Sequence, residues 1–200
     1  IPILLSTGMA TLAEIENAVK IIENEGNQQI VILHCVAIYP TKYEDINLKN
    51  ILMLQKAFKY PIGFSDHTIG TSAPLASIVF GSCLIEKHFT LNKDMEGWDH
   101  AISADPKELE ALVKESKNVQ KSLGSFNRVV SSDEEEKKLK FRRSIVASKD
   151  LKKGETIKVD DLDVKRPGTG ISLEEMNNVI GRILKNDVGE DELLKKEDLI

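Results

Sequence analysis

The 200 residues, 41% hydrophobic and 30% charged, can form one domain or two and bury roughly two-thirds of the unfolded chain's surface, which excludes the disordered class. A net charge of −5, from 27 Lys and Arg against 32 Asp and Glu with no clustered basic block, argues against a nucleic-acid partner. The longest apolar runs, such as residues 30–33, fall far short of the roughly 20 residues that span a bilayer, and no signal segment opens the chain.

The expectation is therefore a cytoplasmic protein with no membrane partner. Cys35 and Cys83 each sit in an apolar run, where a thiol behaves as a small hydrophobe, and both are read as reduced. The chain opens on Ile rather than Met and enters an apolar stretch at once, so the sequence looks cut.

From the start to about residue 122, short apolar runs alternate with helix-period segments, the pattern of βα units that feed a parallel sheet. The runs are residues 3–6, 30–35, 62–65 and 83–88. None alternates strictly with polar residues, as befits strands buried on both faces. Between the first two, Thr11 and Glu14 have capping-box spacing, and Ile15, Val19 and Ile22 mark one helical face that ends near Gly26. A second helix is expected to start at Asn47 and to carry Ile51, Leu54 and Phe58. A third falls around residues 71–80 despite Pro74. The fourth starts at Asp105 with Pro106 in its first turn, where a missing N–H costs nothing.

Residues 125–140 break this rhythm with the run Asp133, Glu134, Glu135, Glu136, Lys137 and Lys138, which suits a solvated linker helix. Beyond it, Gly154-Glu155-Thr156-Ile157 leading to Asp160-Asp161-Leu162 is echoed by Gly189-Glu190-Asp191-Glu192-Leu193 leading to Glu197-Asp198-Leu199. A small domain with internal pseudo-symmetry is expected, with a short helix between the copies capped by Ser172 and Glu175. The predicted organisation is residues 1–124, a linker at 125–140, and a small domain at 141–200.

In a parallel α/β barrel the chemistry sits at the C-terminal strand ends. Here two strand ends present a histidine each: His67 in Ser65-Asp66-His67-Thr68 and His88 in Glu86-Lys87-His88. Imidazole is a common ligand for borderline divalent metals, and two from neighbouring strands leave positions open for water and substrate. A histidine taken singly reads as readily as a structural residue; the pair favours a metal. Alternation puts Glu86 and His88 on one face and Lys87 on the other, so a carboxylate stands beside the metal for acid, base or cation-stabilising work. Ser6-Thr7-Gly8-Met9 reads either as a phosphate cradle or as a plain strand-to-helix turn. Tyr39-Pro40 reads as a turn with its ring on the barrel rim, and Arg166 before Pro167 as an exposed turn residue.

Taken in order, Leu5-Ser6-Thr7-Gly8-Met9, Leu33-His34-Cys35 with Tyr39-Pro40-Thr41, Phe64-Ser65-Asp66-His67-Thr68 and Glu86-Lys87-His88-Phe89-Thr90 resemble the sialic acid (N-acetylneuraminate) synthase family. The likeness continues through Gly97-Trp98-Asp99-His100, Phe141-Arg142-Arg143-Ser144 and Lys165-Arg166-Pro167-Gly168-Thr169-Gly170. The resemblance implies the C-terminal half of a (β/α)8 TIM barrel followed by a small, mostly β, antifreeze-like (SAF) domain. It implies that His67 and His88 hold manganese, with magnesium or cobalt as alternatives, and that the metal polarises the aldehyde of open-chain N-acetylmannosamine for attack by phosphoenolpyruvate. Glu86 is then placed beside the reacting carbons, Ser6 and Ser65 on phosphoenolpyruvate, and Tyr39 and Asp99 on the sugar. Arg166 is expected to reach the partner's barrel in a domain-swapped homodimer.

Two positions depart from the family pattern. Ala37 stands where Asn is frequent, and Trp98 stands where Pro is frequent before Asp99, which leaves room for a related product such as legionaminic or pseudaminic acid. Two other classes compete: another metal-dependent barrel lyase or aldolase, and a non-catalytic module whose C-terminal domain binds ice or a partner. A Schiff-base aldolase would need an inward lysine late on a strand, and Lys87 alternates outward. An ice-binding module would show a flat apolar surface, and the C-terminal segment is instead rich in Lys, Asp and Glu and carries the Arg166 loop. The lysines that grip phosphate in the family belong to N-terminal strands outside these residues, so the chain alone is expected to be inactive.

Overall fold

The computed structural model describes residues 1–200, which divide into two compact units, Ile1–Ser125 and Phe126–Ile200. In the first, β1 (Ile3–Ser6), β2 (Ile30–Cys35), β3 (Ile62–Asp66) and β4 (Ile85–Lys87) form one sheet in the order β1-β2-β3-β4, every pair parallel. Parallel neighbours need crossovers, and helices supply them: α1 (Leu12–Asn24) follows β1, α2 (Tyr43–Ile46) and α3 (Asn50–Ala57) follow β2, α4 (Ser72–Val79) follows β3, and α5 (Pro106–Ser122) follows β4.

The helices cover one face of this sheet. Ile32, Ile62 and Phe64 project from that face into a core with Ile15 and Val19 of α1, Ile51 and Leu54 of α3, and Ala73 of α4. Burial at such positions is the main favourable term, about 1.5–3 kcal/mol for each large apolar side chain. His34, 4% exposed, belongs to the covered face: its Nε2 donates to the Ile46 carbonyl at 2.7 Å and its ring stacks on Phe64. Its pKa lies below the usual imidazole value, because burial disfavours the cation more than the Ile46 bond favours it.

Local chemistry explains the element ends. Thr11 and Glu14 close the expected capping box at α1, and α5 starts after Asp105 with Pro106 in its first turn, also as expected; the structure adds a second capping box there, between Asp105 and Glu108. The second helix differs from expectation. Asn47 does not start it: the residue sits at φ 47°, ψ 60°, ending α2, and α3 begins only at Asn50, with Phe58 as its C-cap. Asn is among the few residues that tolerate this left-handed conformation. The fourth run is also shorter than expected. Strand geometry is confined to Ile85–Lys87, and Cys83 is exposed rather than enclosed.

In the second unit, α6 (Ser132–Phe141) carries the charge run, capped by Ser131 and Glu134. The antiparallel pair β5 (Ser144–Ala147) and β6 (Leu162–Lys165) and a set of isolated bridges then enclose a separate core around Ile145, Leu151, Ile157, Leu184 and Leu194. The echoed segments fold alike. The Lys158 backbone N–H donates to Asp161 Oδ2 at 2.9 Å and the Lys195 N–H to Asp198 Oδ2 at 3.0 Å, each closing a 3₁₀ turn. Between them Ser172 caps through Glu174 rather than Glu175, and a 3₁₀ turn leads into α7 (Met176–Val179). No helix is long and apolar enough to cross a membrane.

Candidate active site

The other face of the sheet carries the polar residues. Register pairs Cys35 with Ser65 and Ser65 with Glu86, so these three share a face, opposite to that of Phe64 and the helical core. Gly63 and Leu33 belong to the same face, and Leu33 crosses directly over Gly63: a Cβ there would stand 2.5 Å from Leu33 Cδ2. Ser6, in register with Leu33, ends β1 on that face too, one strand removed from Ser65.

At the C-terminal strand ends the site closes. Ser65 Oγ donates to Glu86 Oε1 at 2.8 Å and fixes that carboxylate across β3 and β4. The His67 and His88 rings lie 5.2 Å apart, edge to face at 75°. Tyr39, carried on the segment after β2, meets both, at 4.2 Å from His67 and 5.4 Å from His88. Asp99 Oδ2 is 3.9 Å from His88 Nδ1. Five of the expected positions, Tyr39, Ser65, His67, Glu86 and His88, thus form one cluster, with Asp99 at its edge.

The backbone of each histidine is tied to a neighbouring segment, and the His67 ring is held as well. His67 is 8% exposed, and its Nδ1 lies 2.9 Å from the Val36 carbonyl, an acceptor, so that nitrogen carries the proton and the lone pair remains on Nε2. Its own carbonyl accepts from Thr41 N–H at 3.0 Å. The carbonyl of His88 accepts from Ala104 N–H at 2.8 Å, where the loop bearing Asp99 returns beside β4. That loop is pinned further by Thr90 Oγ1 on His100 Nδ1 at 2.7 Å and by Ser103 Oγ, which donates to the Asp99 carbonyl at 2.7 Å.

Two unengaged imidazole nitrogens on adjacent strand ends are a donor set that a borderline divalent cation accepts, with coordination positions to spare. No set of three or more His, Cys, Asp or Glu side chains forms a closed metal cage. The Tyr39 phenol is pushed above its usual pKa, first by desolvation and then by the acidic groups around it, Cys35, Asp99 and Glu86, so it is a hydrogen-bond donor at neutral pH.

Thr7, not Ser6, ties down the first strand end: its Oγ1 donates to the Leu33 carbonyl at 2.9 Å. Gly8 is required there, since a Cβ would stand 2.8 Å from the Ala37 methyl. In the second unit Arg166 lies against Phe141, with its Nε donating to that residue's carbonyl at 3.2 Å and its guanidinium 5.5 Å from the ring centroid.

Sequence reasoning missed several neighbours. Cys35 Sγ is 3.9 Å from His67 Nδ1, and Val36 supplies the carbonyl that sets the tautomer. The period of two along β2 could have placed Cys35 on the polar face; the Val36 carbonyl leaves no mark in a sequence. Lys87 does point to the opposite face from Glu86 and His88, but it is buried there on Asp66.

A parallel α/β half-barrel with its polar cluster at the C-terminal strand ends, followed by a small β domain, defines a barrel-type enzyme scaffold with an appended module. The chain belongs to the NeuB family, the sialic and nonulosonic acid synthases: the family profile matches residues 1–128, and a SAF domain matches residues 142–200. An uncharacterized protein of Methanocaldococcus jannaschii is 46% identical over all of this chain and 59% of its own length. The N,N'-diacetyllegionaminic acid synthase of Campylobacter jejuni is 42% identical over 97% of this chain and 59% of its own. The crystal structure of the Bacillus subtilis spore coat polysaccharide biosynthesis protein SpsE covers all of this chain at 33% identity and a TM-score of 0.59, with 61% of its own chain matched. The chain therefore spans about three-fifths of the length of the curated relatives it matches.

Proposed function

We propose that this chain is the C-terminal part of a nonulosonic acid synthase, which joins phosphoenolpyruvate to an N-acylated amino sugar and releases phosphate. The observation that carries the reading is the convergence of His67, His88 and Tyr39 within 5.4 Å of one another, with the Ser65-bound carboxylate of Glu86 on the same face. Membership of the NeuB family supports the reaction class.

In the proposed reaction, C3 of phosphoenolpyruvate bonds to the aldehyde carbon of the open-chain sugar, whose oxygen takes up a proton and becomes a hydroxyl. Water adds at C2, the bond from C2 to the phosphate oxygen breaks, and the product is a 2-keto acid plus inorganic phosphate. A divalent cation held by His67 and His88, manganese for preference over magnesium or cobalt, supplies Lewis acidity toward the aldehyde oxygen when bound. Glu86, oriented by Ser65, steadies positive charge at C2 before water arrives. Ser6 and Ser65 contact phosphoenolpyruvate. The protonated Tyr39 phenol donates to the sugar, Asp99 accepts from a sugar hydroxyl, and both limit where the chain of the sugar lies. Arg166, on its Phe141 shelf, contacts the acyl group in the barrel of a partner subunit in a domain-swapped dimer.

Between N-acetylmannosamine and its 6-deoxy diacetamido relatives, two observations favour the second: similarity to a diacetyllegionaminic acid synthase, and Trp98, 99% exposed beside Asp99, which offers an apolar surface to a deoxy carbon. The test is phosphate release by the full-length protein from phosphoenolpyruvate with a panel of both sugar types, with manganese and with chelator. Sugar-dependent, chelator-sensitive release is expected. Absence of release with every sugar would sink the reading.

A further inference from the structure

Behind the candidate site lies an ion pair that the proposed reaction does not use. Lys87 Nζ donates to Asp66 Oδ2 at 2.7 Å, with side-chain exposures of 5% and 0%, and also donates to the Thr68 carbonyl at 2.7 Å. Asp66 in turn accepts from the Thr68 N–H at 2.9 Å and from its hydroxyl at 3.2 Å. Asp66 and Thr68 are the two residues that flank His67, and Lys87 is the residue before His88. One ammonium group therefore bonds to both neighbours of one imidazole from the position adjacent to the other.

Removing two charges from water is costly, and an apolar pair of similar volume would often serve stability as well or better. Stability alone gives such a pair little reason to be there, whereas a buried charge pair with every partner satisfied does fix register. We infer that Asp66 and Lys87 are positioning residues, which hold the backbones of β3 and β4 at the separation and twist that aim His67 Nε2 and the His88 ring at a common point. They touch neither substrate nor cation; they act through the two histidines, as outer partners of metal ligands commonly do.

The inference rests on the reading of His67 and His88 as ligands, and the experiment separates the two. Mn2+ binding to the full-length protein is followed by electron paramagnetic resonance, alongside His67→Ala, His88→Ala, Lys87→Arg and the paired variant Asp66→Asn with Lys87→Met. The paired variant removes both charges at similar volume, so that no buried charge is stranded as it would be in Lys87→Met alone; Lys87→Arg keeps the charge and alters only the donor geometry. Wild-type protein is expected to bind Mn2+ and the alanine variants to lose it. The paired variant is expected to unfold cooperatively near the wild-type temperature yet bind Mn2+ about 10–100-fold more weakly, with an altered spectrum of the bound ion and with the His67 ring proton no longer confined to Nδ1 in metal-free nitrogen-15 spectra. Lys87→Arg is expected to show the same changes in smaller degree. Wild-type affinity and spectra in either folded variant would overturn the inference while leaving the ligand reading intact. Failure of the wild type to bind Mn2+, or retention by the alanine variants, would overturn both.

Discussion

At Gly63 one hydrogen stands where any side chain would collide with Leu33 and, at 2.9 Å, with the Leu84 carbonyl. Leu33 is 1% exposed and has little room to retreat, so Gly63→Ala is expected to cost about 1–3 kcal/mol, read as a lower urea midpoint. The constraint lies one strand position from Phe64 and two from Ser65, which ties the packing of the polar face to the placement of the site. At the histidines the expectation is different in kind. His67→Ala and His88→Ala each remove a proposed ligand from a strand end rather than from the core, so manganese affinity should fall at least about tenfold in calorimetry while cooperative unfolding persists. Unchanged affinity would remove both from the metal site.

Elements contribute their own pH dependence. The His34 imidazole on β2 is held below its usual pKa by burial. Above the unfolded value near 6.5, folded and unfolded chains both carry a neutral ring and the group has no effect. Below it, the unfolded chain takes up a proton that the folded chain refuses, so stability declines as pH falls toward the folded value. His34→Gln, which keeps an N–H for the Ile46 carbonyl, should flatten the decline in thermal midpoint between pH 7 and 5. An unaltered slope would show that another group carries it. In the small domain, Asp161 is held below the usual carboxylate range first by Lys149 and then by the Lys158 N–H. A depressed carboxylate stabilises above its unfolded pKa near 3.9 and that contribution is lost as pH falls lower. Asp161→Ala should therefore cost more at pH 7 than Asp198→Ala, which removes the equivalent turn bond, worth about 1 kcal/mol, without the Lys149 partner. Equal urea midpoints for the two variants would contradict this.

The whole molecule divides into units with separate cores, and their prospects alone differ. Residues 126–200 close their own core with paired turns, and should fold by themselves with dispersed amide spectra. Residues 1–125 leave β1 and β4 each unpaired along one edge, and unpaired edges template association, so that piece should self-associate in sedimentation. The 200-residue chain should release no phosphate from phosphoenolpyruvate and sugar under conditions where the full-length protein turns over. Turnover by the short chain would mean that the four strands suffice.

The four apolar runs, the capping box at Thr11 and Glu14, the helix start at Asp105-Pro106 and the Gly-Glu echo were legible in the sequence because each is a local pattern: side-chain period, capping spacing and turn chemistry act within a few residues. Local pattern also named His67, His88 and Glu86, since polar residues ending an apolar run have nowhere to be but a strand end. What it could not give was the break at Asn47, where propensity for helix and for the left-handed turn compete, or the end of strand geometry at Ile85. It could not give partners either. The distance between the two imidazoles, the Val36 carbonyl that fixes a tautomer, and the Lys87 ammonium beneath Asp66 join residues 21–31 positions apart, and only the register of parallel strands brings them together. A sequence specifies which groups exist and which face of an element they take; their mutual geometry is set by how those elements pack, because contact across strands depends on backbone paths that no local interaction determines.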